Sequence, residues 1–136
     1  MHKMIQIKSL DYIVLTVAPI VRFCKVYSEV LGMEVQKFNP PSNPSQVRYA
    51  LKFGNSKINL HEKGKELEPY AQNPIPGSAD ICFILESEEL PVKSLEEVIM
   101  FLKEKGPVPM TGANGRMSGV YIRDPDSNLL EIAKYL

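Results

Sequence analysis

Apolar and polar positions change their period several times along the chain. Between Ile7 and Val17 β-branched residues crowd together and predict a strand, and the apolar stretch Tyr12–Val21 reads as buried. Pro19 then suits the first turn of a helix. Ile20, Phe23, Cys24, Tyr27, Val30 and Leu31 recur at helical spacing, and Gly32 is placed to close that helix. Met33–Phe38 is a short strand candidate. The three prolines of Asn39–Ser45 remove donors and predict a loop. Val47–Phe53 and Lys57–Glu62 follow as a hairpin around Gly54, Asn55 and Ser56. The first block therefore reads strand, helix, three strands.

Residues 64–79 look like a connection, and then the order repeats. Ala79–Leu85 is a buried-strand run. Val92, Leu95, Val98, Ile99 and Leu102 give one apolar helix face, with Ser94 and Glu97 at capping-box spacing and the helix, Val92–Lys105, ending before Gly106. Gly119–Arg123 and Asn128–Tyr135 form strands around the type I turn signal Asp124-Pro125-Asp126-Ser127. Few residues separate Gly106 from Gly115, so the second strand of this block is expected to be short or missing. Laid over one another, Tyr12 falls on Asp80 and Asn59 on Glu131, with separations of 47 and 51 positions. This near-equal repeat predicts an α+β fold of two βαβββ modules, about 5–63 and 78–136, joined by a linker at 64–77.

A length of 136 residues suits one compact domain. Equal numbers of basic and acidic side chains, 16 of each, leave no electrostatic footprint for nucleic acid. Cys24 and Cys82 are too few for a disulfide framework and sit in apolar runs, as buried free thiols in a reducing cytosol do. Tyr12–Val21 is too short to cross a bilayer as a helix, and Asp11, Pro19 and the lack of a small-residue cleavage site argue against export. The expectation is a cytoplasmic protein without a membrane partner.

Several motifs, in order, carry a resemblance to a known superfamily. They are Leu10–Val17, Phe23 with Tyr27 and Ser28, Val30–Val35, Lys57–Glu62, Pro76–Phe83, Gly106–Pro109 with Thr111–Ala113, Ile122–Asp126 and Asn128–Glu131. The chain resembles the vicinal-oxygen-chelate superfamily of glyoxalase I, fosfomycin-resistance proteins, extradiol dioxygenases and bleomycin-binding proteins, and more narrowly the glyoxalase-domain-containing protein 5 group. The resemblance implies a cupped mixed sheet with helices outside and a divalent metal at its centre, held from the first and last strands of each module. Carried over, those positions are Tyr12, Asn59, Asp80 and Glu131, where catalytic members commonly place His, Glu or Gln, His and Glu. It also implies a homodimer, whose cup closes within one chain or between two chains that exchange modules.

The chemistry of these residues separates two readings. A phenol at Tyr12 must lose its proton to bind a metal well, whereas a neutral imidazole needs little help near pH 7. Asn59, Asp80 and Glu131 would leave an oxygen-rich metal set suited to Mg²⁺ or Mn²⁺ rather than zinc. His61 shares the strand face of Asn59 and is a candidate for proton transfer in place of the missing imidazole. Tyr121 lies three residues before the Asp124 turn, where relatives present a tyrosine to substrate, and Arg116 is a candidate clamp for an anionic substrate. On the first reading a metal ion (Mn, Mg, Ni or Zn) acts as a Lewis acid on a small oxygenated substrate, with Glu131 as ligand or base, in a lyase, isomerase, transferase or dioxygenase. On the alternative, the cup holds no metal and sequesters a small molecule between apolar walls, with Tyr12 lining it.

Overall fold

The computed structural model describes residues 4–86 and 103–136, with side chains in the second stretch from residue 107 onward. The first block contains β1 (Tyr12–Val17), α1 (Ile20–Glu29), β2 (Glu34–Phe38), β3 (Arg48–Phe53) and β4 (Ser56–Glu62). The second contains β5 (Asp80–Ile84), β6 (Lys103–Gly112), β7 (Gly115–Arg123) and β8 (Leu129–Tyr135). Each block makes a four-stranded mixed sheet of the same order, β1-β4-β3-β2 and β5-β8-β7-β6. In both, the first strand runs parallel to the last and the other pairs are antiparallel. No described helix is long and apolar enough to cross a membrane.

Four expectations are corrected. The first strand starts at Tyr12, not Ile7, because its parallel register with β4 takes up Lys57–Glu62 against Tyr12–Val17, and Ile7 and Leu10 are left exposed. The strand of the second block that was expected to be short or missing spans ten residues, Lys103–Gly112. It reaches that length because β7 begins at Gly115 and the hairpin closes on the pair Gly112↔Gly115. Pro107 and Pro109 are accommodated because β6 is an edge strand, with register shifts between Lys103 and Val108. The helix expected over Val92–Lys105 lies outside the described residues up to 102, and its last three positions belong to β6. Finally, Cys24 is buried but Cys82 is exposed, since it alternates with the inward-facing Ile81 and Phe83.

One core joins the two sheets. Val17, Leu51, Ile58 and Leu60 enter it from the first sheet, Ile122, Leu130 and Ile132 from the second, and Phe23, Cys24 and Tyr27 from α1. Phe23 and Tyr27 stack at 4.4 Å, and Phe53 meets Phe83 edge to face at 5.4 Å. Gly32 ends the helix region with φ +69°, a backbone state that glycine adopts without steric cost, and the turn lets the Met33 N–H reach the Tyr27 carbonyl at 3.1 Å. The Tyr27 hydroxyl donates to Asp124 Oδ2 at 2.7 Å, fastening α1 to the β7–β8 turn.

Candidate functional site

Strand alternation decides where the candidate residues lie. In the first sheet Ile58 and Leu60 enter the core, so Lys57, Asn59 and His61 occupy the opposite face, beside their register partners Tyr12, Val14 and Thr16. In the second sheet Leu130 and Ile132 enter the core. Glu131 therefore lies on the opposite face, with Tyr121 beside it on β7 and Cys82 on β5, and Asp80 shares that face. Both sheets turn one face to the single core, and the candidate residues of each lie on the face directed away from it. Tyr12 and Ile84, 49% and 50% exposed, show how open these faces are.

The second-sheet set is a carboxyl pair. Glu131 is held up at about 7 by hydrogen bonding to Asp80, by burial, and by repulsion from the Asp80 charge, in that order. Tyr121 and Cys82 are both pushed up, first by burial and then by the Glu131 and Asp80 charges, so each keeps its proton at neutral pH.

The first-sheet set is organised around a cation. Lys57 Nζ stands 5.3 Å from the centres of both the Tyr12 and Phe38 rings. The imidazole of His61 is driven down by burial and by the Arg48 charge, which keeps it neutral at physiological pH. His61 also lines a cavity of about 520 Å³ between β1 and the chain that links the blocks, walled by Val14, Thr16, Tyr70, Ile75 and Asn128. Arg48 lies on this face too, at the strand position opposite His61, and is only 5% exposed. The sequence pattern did not single it out. Its only signal was a charged residue in a run of strand formers.

Arg116 is exposed on β7, five positions from Tyr121, which places it on the other face of that strand, away from the carboxyl pair. Asn59 Oδ1 and His61 Nδ1 are buried without hydrogen-bond partners. Among the described residues of one chain, no group of three or more His, Cys, Asp or Glu side chains is arranged to hold a metal ion.

The chain is 45% identical, over 99% of its length and 91% of the relative's, to Virulence protein STM3117 of Salmonella typhimurium. It is 42% identical, over 98% of its length and 72% of the relative's, to Glyoxalase domain-containing protein RDO1 of Mycosarcoma maydis. The chain belongs to the glyoxalase/bleomycin resistance/dioxygenase superfamily. The crystal structure of STM3117 matches with TM-score 0.82, covering 97% of this chain and all of that one. More distant members share the superfamily fold. They include a lactoylglutathione lyase from Agrobacterium tumefaciens, with TM-score 0.63 and 23% identity over 93% of this chain and 92% of that one. No family model matches the chain. Tyr12 lies under the Lys57 ammonium, and Asn59 offers a neutral amide.

Proposed function

We propose that the chain is a glyoxalase-type enzyme that moves a proton on a small oxygenated substrate, as an isomerase or lyase does. The observation that carries this is the Asp80–Glu131 pair, in which one carboxyl is held at about 7 on an open sheet face. A base with its pKa near the working pH abstracts a proton and returns it with little loss either way. Tyr121, protonated and beside Glu131 in register, donates its O–H to an oxygen that becomes anionic as the proton leaves. The finer kinship is with the glyoxalase-domain-containing protein 5 group.

The site is completed by a second copy. Exposed Tyr12, Val14, Ile84 and Tyr135 give both candidate faces an apolar character that a partner sheet would cover. In such a homodimer the first-sheet face of one protomer meets the second-sheet face of the other. The donor set then fits a hard divalent ion. Asn59 Oδ1 is a buried oxygen with no hydrogen-bond partner, and Asp80 and Glu131 form a carboxyl pair whose shared proton a cation would displace. Asn59, Asp80 and Glu131 would hold it, and Tyr12 would remain outside under Lys57. When bound, the ion supplies Lewis-acid polarisation of substrate oxygens.

A second reading rests on the cavity of about 520 Å³, whose mostly apolar wall suits sequestration of a small molecule without chemistry. Metal analysis and melting with added Mn²⁺, Mg²⁺, Ni²⁺ or Zn²⁺ separate the two, with Glu131→Ala beside the wild type. The enzyme reading expects stoichiometric metal and a raised Tm that the variant loses. A metal-free wild type whose Tm no cation moves, with Glu131 titrating as an ordinary carboxylate, would overturn it in favour of sequestration.

A further inference from the structure

We propose that the outward face of the first sheet holds a carboxylate-binding subsite centred on Arg48, which takes the acid group of a small organic acid. The Arg48 side chain is 95% buried, and two of its donors, Nε and Nη2, are out of reach of bulk solvent and without hydrogen-bond partners. These two nitrogens lie on the same edge of the guanidinium. Their N–H groups form the fork that accepts a carboxylate through two parallel bonds. A buried guanidinium with two donors unbonded is unfavourable, so the fork is built for an acceptor.

The acids close enough to act on Arg48 are Glu66 and Glu62. Neither bonds Nε or Nη2, and each has a contact elsewhere. Glu66 Oε1 accepts the Gly64 N–H at 3.0 Å, and Glu62 Oε2 lies 3.6 Å from Lys65 Nζ. Two further unpartnered atoms, His61 Nδ1 and Asn59 Oδ1, sit on the same face, His61 directly across from Arg48. A fork of two donors flanked by two acceptors suits an acid that carries a hydroxyl near its carboxylate. His61 lines the cavity of about 520 Å³, and Arg48 itself lines a second cavity of about 310 Å³ with Gln46, Glu62 and Lys65, which gives such a ligand a route in. Phosphate also meets such a fork through two bonds, so it is the competitor in the test.

This inference shares with the proton-transfer reading the premise that a small molecule meets this face, and it draws on Asn59, which that reading gives to the metal. It needs neither Glu131 nor a metal. The test uses the wild-type chain at constant ionic strength, titrated separately with sodium acetate, sodium lactate, sodium phosphate and acetamide. Binding is followed by Tm and by the ¹⁵N–¹H resonance of the buried Arg48 Nε. Acetate and lactate are expected to raise Tm and shift the Nε–H signal, lactate more strongly, with acetamide inert. Arg48→Lys, which keeps the charge and loses the fork, should weaken binding by about tenfold or more. Glu131→Ala should bind acetate as the wild type does, so the two readings fail separately. An unmoved Nε–H signal with either carboxylate overturns the proposal, and this readout does not depend on any variant folding. Phosphate binding more tightly than lactate overturns the ligand class. If instead Glu66→Gln alone lowers Tm and no acid binds, the fork belongs to an internal ion pair and the subsite is refuted.

Discussion

The hydroxyl of Tyr27 offers the sharpest check on how the two sheets are held, because Tyr27→Phe removes a single oxygen from a site whose contacts are all accounted for. Tyr27 is completely buried and donates to Asp124 Oδ2 at 2.7 Å. Asp124, 5% exposed, also accepts from the Asp126 N–H at 2.9 Å, the Asn128 N–H at 2.9 Å and Asn128 Nδ2 at 2.8 Å. In the variant the ring keeps its stack on Phe23, and the carboxylate keeps three donors. The loss is thus one bond to a charged acceptor rather than an abandoned buried charge, about 1.5–3 kcal/mol. At about 3 °C per kcal/mol for a chain of this size, Tm should fall by about 5–9 °C. Melting followed by circular dichroism reads the shift, and urea unfolding should give the same loss with an unchanged m value. A variant melting within about 1 °C of the wild type would refute the reasoning. The Tyr27–Asp124 bond would then not be what fastens α1 to the β7–β8 turn.

Other expectations follow from the same geometry. Asp80→Asn removes both the repulsion and the charged partner at Glu131, so its titration, read by carboxyl ¹³C NMR, should move from about 7 towards the ordinary 4.5. Because the folded state holds that proton more tightly than the unfolded chain, wild-type stability should fall as pH rises between those two values. Asp80→Asn should flatten that slope, and an unchanged slope would exclude the pair as its source. Gly77 has φ +83°, and a Cβ there would collide with the Asp126 carbonyl. Gly77→Ala is expected to destabilise by about 2–4 kcal/mol in urea melts, and a neutral result would contradict the packing of the linker on the second turn. If two copies cover each other's faces, Val14→Arg should convert a sedimenting dimer to monomer. A wild type that is monomeric at tens of micromolar would defeat that arrangement.

Much of the architecture was legible because it rests on local patterning. Periodicity marked α1, the Gly54–Asn55 turn marked the first hairpin, and the repeat of Tyr12–Asn59 on Asp80–Glu131 mirrors two sheets of identical order. β6 was missed because few residues separate Gly106 from Gly115 and its first three positions read as the end of a helix, and its prolines are harmless only through an edge position that no local pattern reveals. At the site, alternation correctly put Asn59 with His61 and Glu131 opposite Leu130 and Ile132. What alternation could not give was the direction of each sheet in space. Nor could it show that Asp124, which reads as a turn residue, anchors α1, or that Arg48 is buried. Those properties arise between segments up to 97 positions apart.

The alternating prolines of β6 also govern how this protein can meet its neighbours. Pro107 and Pro109 flank Val108, which pairs with Gly119, so their missing N–H groups fall on the rim that no other described strand covers. A passing β-strand finds two successive gaps where it would need donors, and the ladder cannot be extended past this border. Growth by rim-to-rim addition at β6, the route to fibres, is blocked, and association there is left to the broad surfaces of the sheets.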